Sequence, residues 1–150
     1  MDDLGSDRIG VDTAIFIYFI EEAPVWLPLI TPLFRAADSG QLEMFTSAVT
    51  LLEVLVVPFR ADNEVLAGRY EALLTSSRGV RLIDVTRNQL RRASRLRALT
   101  GMRTPDALQL SAAQEAGCAA FLTNDRRLPA VLGLRILQLA SYCRASADGG

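Results

Sequence analysis

Four acidic residues stand where solubility is not an obvious reason for an acid. Asp12 directly follows the apolar "IGV", and Asp125 follows "AFLTN". Asp106 sits just behind Pro105 in "TPDALQLSAA", and Glu53 lies inside "TLLEVLVV". Taken singly, Asp12 and Asp125 can be helix caps, and Asp106 can simply favour the positive end of a helix dipole. Glu53 is different, because Leu51, Leu52, Val54, Leu55, Val56 and Val57 surround it and no polar face is evident. It is expected to be buried, and a buried carboxylate needs a cation or a hydrogen-bond network. Four such acids drawn together would repel one another and raise each other's pKa. A hard divalent cation such as Mg²⁺ or Mn²⁺, which prefers oxygen ligands, resolves that repulsion. Sites of this kind handle phosphate esters, where the ion activates water and neutralises developing charge.

Composition narrows the chemistry. The chain has 150 residues and no histidine, which removes His-based triads, His general bases and His-ligated zinc. All 16 basic residues are arginine, so chemistry that needs a lysine is also excluded. A net charge of −1 gives no bulk attraction to nucleic acid, so any phosphate contact must be local or metal-mediated. Half the residues are hydrophobic and 22% are charged, as in an ordered soluble domain. The length suits one domain, 1–150, with an ordered core over about 8–139 and a flexible tail at 145–150. The acidic start "MDDLGSDR" lacks an apolar signal region, and no apolar run is long enough to span a bilayer. Cys118 and Cys143 show no CxxC spacing and read as reduced thiols in a cytoplasm.

The elements that must position the acids alternate. "RIGV", "EMFTS", "GVRLIDV", "CAAFLT" and "LRILQL" read as short strands. Between them, "DTAIFIYFIEE", "APVWLPLITPLFRAADSG", "SAVTLLEVLVVPFR" (ending near Pro58) and "NEVLAGRYEALLTSS" read as helices. The second of these carries Pro28 and Pro32, which weaken its helical reading, and the fourth has helical spacing through Val65, Leu66, Tyr70, Leu73 and Leu74. "TRNQLRRASRLRALTG" has Thr86 as N-cap and Gly101 as terminator; "TPDALQLSAAQEAG" has Thr104 as cap and Pro105 as first residue. This alternation without hairpin signals predicts an α/β domain with a mainly parallel sheet, whose ligands gather beyond the carboxyl ends of the strands. Asp12 and Asp125 fall at such ends.

"IGVDTAIFIYFIE", "TSAVTLLEVLVVPFR" and "TPDALQLSAAQEAGCAAFLTNDRRL" resemble the motifs of PIN-domain ribonucleases, in the VapC-like toxin branch. The resemblance runs from about Arg8 to Leu139, and the paired "TPDAL" and "FLTND" blocks are its most specific part. It implies a three-layer α/β/α fold and a Mg²⁺- or Mn²⁺-dependent endoribonuclease. It places Asp12, Glu53, Asp106 and Asp125 at the catalytic centre, with Asp12, Asp106 and Asp125 on the metal. Thr123 matches the hydroxyl residue that supports the acidic cluster. Ala14 departs from the pattern, because these proteins often carry Asn or Ser there. The resemblance further implies an RNA substrate, an antitoxin protein as partner and a homodimer. An arginine or lysine from that partner could pair with Asp12, Asp106 or Asp125, while the apolar "VWLPLITPLF" and "LLEVLVVPF" could form docking grooves or be wholly core.

Arg87, Arg91 and Arg95 at i, i+4 spacing, with Arg92, Arg97 and Arg103 nearby, form a solvated helix face or a phosphate-steering rim beside the acidic site. Tyr18, Trp26 and Phe34 read as core or dimer contacts. Receiver domains and haloacid-dehalogenase-type phosphatases fail for want of a lysine, and a P-loop for want of GxxxxGK. The alternative function is a non-catalytic PIN-like module that acts through protein or RNA partners.

Overall fold

The chain is described here by a computed structural model that covers residues 8–131 and 133–142. Cys143 and the tail expected at 145–150 lie outside the described residues. Five strands, β1 (Arg8–Val11), β2 (Glu43–Ser47), β3 (Val80–Ile83), β4 (Ala120–Thr123) and β5 (Arg135–Gln138), form one sheet in the order β3-β2-β1-β4-β5. Every pairing is parallel, with Ile9 beside Met44 and Val11 beside Leu122. Parallel neighbours cannot be joined by hairpins, which explains the helix after nearly every strand. The three-layer α/β/α arrangement expected from the sequence is present.

Alternation along the strands divides the core. Ile9, Val11, Met44, Ala120 and Leu122 face helices α1 (Thr13–Ile20), α2 (Leu27–Asp38), α3 (Val49–Arg60) and α4 (Glu64–Ser76). Phe121 faces the other side, where α5 (Arg87–Thr100) and α6 (Thr104–Glu115) pack through Ala93, Leu110 and Ala113. Gly10 also faces α6, and the contact is very close. A Cβ there would meet Phe121 Cδ2 at 2.7 Å and Ala113 Cβ at 2.8 Å, so only glycine lets α6 lie this near the sheet. Cys118 is buried, and burial pushes its thiol up to about 11, as befits an inert packing residue.

Several local expectations are met, and others are revised. Thr86 caps α5 by accepting from Gln89 N, and Gly101 ends it in the left-handed region at φ 71°. Pro32 lies inside α2 and Pro58 in the last turn of α3 without interrupting either helix. Thr104 is the first residue of α6 rather than its cap; Arg103 holds the cap position without a side-chain bond. Within α4, Tyr70, Leu73 and Leu74 are buried and Leu66 packs against the core, but Val65 is 78% exposed. Of the two apolar segments, α2 buries Ile30, Leu33 and Phe34. In α3, by contrast, Leu52, Val56, Val57 and Phe59 remain exposed. No helix among the described residues is long and apolar enough to cross a membrane.

Candidate active site

The chain order sets the place of the site. From β1 the sheet grows through β2 to β3, then the chain crosses back to lay β4 and β5 on the other side of β1. The carboxyl ends of β1 and β4 therefore flank the point where the winding reverses, which is where open parallel sheets form clefts. A cleft of about 420 Å³ opens there, lined by Asp12, Glu53, Asp106 and Asp125 together with Tyr18, Arg103 and Arg127. Each acid arrives on a different piece of chain: the end of β1, the second turn of α3, the first turn of α6 and the loop after β4.

Asp12 caps α1. Its Oδ1 accepts from Thr13 N at 2.9 Å, and its Oδ2 accepts from Thr123 Oγ1 at 2.7 Å. The fully buried Thr123 hydroxyl in turn accepts from Asp125 N at 3.0 Å, so one side chain joins the ends of β1 and β4. Burial raises the Asp12 pKa against the opposing pull of these two hydrogen bonds, and Asp106 and Glu53 add to the rise. The crowding expected from the sequence therefore has the right direction, but burial is its largest cause.

Glu53 requires a correction. It is exposed on the cleft wall, not buried: Val54 is core and Leu51 and Leu55 pack against the core, whereas Leu52, Val56 and Val57, on the side of α3 that Glu53 shares, stay exposed. It is nonetheless tied down, since Thr13 Oγ1 donates to its Oε1 at 2.9 Å. Behind Thr13 lies a polar cluster that sequence reading missed. Gln109 Nε2 donates to Thr50 Oγ1 at 2.6 Å and to Thr13 Oγ1 at 3.2 Å, while its Oε1 accepts from Ser47 N at 3.1 Å. Gln109 follows Asp106 by one turn of α6, so this cluster locks the helix that carries one acid to the strand and helix around another. A glutamine amid Leu108 and Leu110 was the available signal.

Two arginines hold the remaining acids; Arg127 was missed in the sequence, and Arg103 was read only as a neighbour of the arginine stripe. Asp125 is not a helix cap; its side chain closes a turn by accepting from Arg127 N at 2.9 Å. Arg127 then clasps the same carboxylate, with Nε 3.0 Å from Oδ1 and Nη2 3.1 Å from Oδ2, and holds its pKa below the ordinary value. Arg103 Nε lies 3.1 Å from Asp106 Oδ2, and its Nη2 is 3.8 Å from Asp125 Oδ2. The spacings "RTPD" and "NDRR" were the clue. Among the described residues no three carboxylates stand around one point. The Arg87, Arg91 and Arg95 stripe is solvated and lines no part of this cleft. Phe34 is core, and Tyr18 and Trp26 pack against the core, as expected; Tyr18 also forms part of the cleft wall, stacked on Trp26 at 5.8 Å and accepting from Asn124 Nδ2.

The sequence from residue 9 to 133 matches the model of the PIN domain. The chain belongs to the PIN-domain family. A comparison with curated proteins finds no match. Among solved structures, the PIN fold of this chain is similar to that of VapBC from Salmonella typhimurium bound to DNA. That match has 20% identity and a TM-score of 0.65, covering 89% of this chain and 99% of the other. VapBC2 from Rickettsia felis, bound to a promoter DNA fragment, matches at 17% identity and a TM-score of 0.64, covering 87% and 98%. VapC20 from Mycobacterium tuberculosis, a toxin that cleaves the sarcin–ricin loop, matches at 18% identity and a TM-score of 0.62, covering 75% and 86%. At these identities the likeness is one of PIN fold, and the chemistry rests on the cleft itself.

Proposed function

We propose that this PIN-domain chain is a Mg²⁺- or Mn²⁺-dependent endoribonuclease and the toxin of a toxin–antitoxin pair. The observation that carries the reading is the meeting of Asp12, Glu53, Asp106 and Asp125 in one cleft at the reversal point of the sheet. The solved relatives include VapBC assemblies and an RNA-cleaving toxin, which supports an RNA substrate, an antitoxin partner and a cytoplasmic site of action. A homodimer is part of the same reading, with the exposed apolar face of α3 as surface for it.

The donors fit a hard cation. All four are carboxylates, there is no histidine or lysine to compete, and Asp12 carries a charge that its burial disfavours. When bound, such an ion activates water and offsets charge developing on the scissile phosphate. The chain's own residues supply the frame. Asp12 is aimed by Thr123 and the Thr13 N–H; Asp106 is carried by the first turn of α6; Asp125 is set by the turn after β4. Glu53, oriented by Thr13, completes the acidic wall. Ion loading requires Arg103 and Arg127 to leave the carboxylates they hold.

That arginine-paired state is also what a non-catalytic PIN-like module would display, and the two readings part on metal. Mn²⁺ is expected to bind the purified protein in calorimetry and to raise its melting temperature at pH 7. Asp12→Asn is expected to abolish RNA cleavage while leaving the circular dichroism spectrum intact. Expression of the chain alone is expected to arrest growth, and Asp106→Asn to relieve it. Cleavage by Asp12→Asn at the parent's rate would refute the assignment.

A further inference from the structure

We propose that Arg103 and Arg127 serve two ligands in turn: they neutralise Asp106 and Asp125 while metal is absent, then grip the RNA backbone once metal has taken those carboxylates. This rests on the nuclease reading above and assigns the residues that hold its substrate.

The first half follows from the geometry of the pairs. Asp106 and Asp125 are set into the cleft, with side chains 14% and 20% exposed, whereas Arg103 and Arg127 reach in from the rim at 63% and 74%. The acids are anchored by their backbone positions, at the start of α6 and in the turn closed by Arg127 N. The guanidiniums have no other hydrogen-bond acceptor among the described residues. Each pair has its guanidinium largely in solvent, where screening weakens it, so a divalent ion drawn to the carboxylates displaces the arginines. The arginine side chains then lose their acceptors but stay at the mouth of the cleft.

The second half follows from charge. Four carboxylates and two arginines give the cleft wall a formal charge of −2, which repels RNA. One divalent ion cancels that charge, and the released guanidiniums become the cations nearest the acids. The chain has no lysine to share the task, and the Arg87, Arg91 and Arg95 stripe lies on another surface. A guanidinium's planar fork of N–H donors matches a phosphate as well as it matches a carboxylate. Metal and RNA therefore bind in a favourable order, with the ion freeing the groups that the strand needs.

The test reads two quantities that move in opposite directions. In calorimetry with Mn²⁺ alone, R103A/R127A is expected to bind the ion about 3-fold to 10-fold more tightly than the parent, since no arginine competes for the acids. With a single-stranded RNA in saturating Mn²⁺, the same variant is expected to raise KM about 10-fold or more, with kcat changed less than about 3-fold. Arg127→Lys keeps the charge without the fork and is expected to fall between parent and variant. Arg91→Ala, on the solvated face of α5, is expected to alter neither quantity. Should the double variant fail to fold, Arg127→Gln carries the same pair of measurements. Unchanged or weaker Mn²⁺ binding would overturn the counter-ion role, and an unchanged KM would overturn the RNA role. A parent protein that binds no Mn²⁺ would instead overturn the nuclease reading on which the proposal stands.

Discussion

Replacing Gln109 by leucine is expected to cost stability out of proportion to the change in shape. Gln109 is 2% exposed, and leucine occupies nearly the same volume. What disappears is a set of bonds: Oε1 accepts from Ser47 N at 3.1 Å and Thr46 Oγ1 at 3.3 Å, and Nε2 donates to Thr50 and Thr13. The three threonine hydroxyls can partly compensate among themselves, because Thr50 Oγ1 already lies 2.6 Å from Thr46 Oγ1 and 3.1 Å from Thr13 Oγ1. The Ser47 N–H loses its acceptor in a place water does not reach. A buried unsatisfied donor costs about 1–3 kcal/mol, and incomplete replacement of the other bonds adds to it. Leucine's apolar burial offsets part of this, leaving a net loss of about 2–3 kcal/mol. For a chain of this length each kcal/mol lowers the melting temperature by about 2–4 °C, so a fall of about 4–12 °C is expected. Urea denaturation followed by circular dichroism at pH 7 in EDTA measures it, with the exposed Gln41→Leu as control. A loss below about 0.5 kcal/mol, the range of ordinary surface changes, would show that the cluster does not hold α6 to β2.

Two further outcomes follow from the same geometry. Asp12 has its folded-state pKa raised by burial above the unfolded value near 4, so its stabilising contribution is present at low pH and lost as pH rises through the raised value. Asp125, lowered by Arg127, acts in the opposite sense, and its contribution fades only as pH falls through the depressed value. Melting temperature against pH in EDTA is expected to show Asp12→Asn gaining on the parent as pH climbs above about 4; parallel curves would contradict the burial argument. Gly10→Ala is expected to cost about 1–3 kcal/mol, because its Cβ would run into Phe121 and Ala113 and push α6 outward. Calorimetric unfolding that leaves the variant as stable as the parent would show that the sheet and α6 yield more easily than their packing implies.

Features that depend on a few neighbouring residues were legible in the sequence. Thr86 and Gly101 bound α5 by bonds to residues within a turn or so. "EMFTS" is strand β2 throughout its length, and alternation of apolar runs with helical spacing announces a parallel sheet. Once that sheet is granted, acids at strand ends must lie near its carboxyl edge, so Asp12 and Asp125 were readable as partners. What lay beyond local pattern was which surfaces another element would cover. Glu53 looked buried because its neighbours are apolar, yet none of the described residues covers that face of α3, and the carboxylate stands open on the cleft. Tyr18 packs against the core as read, but its place on the cleft wall was not visible in the sequence. Gln109 meets Thr13, Thr50 and Ser47 only because α6 crosses β2, joining residues up to 96 positions apart. The pairing of Arg103 with Asp125 likewise arises where α6 begins beside the loop after β4. Residue type and short-range spacing determine what each segment offers, whereas burial and charge pairing depend on packing between distant segments, which the tertiary fold alone decides.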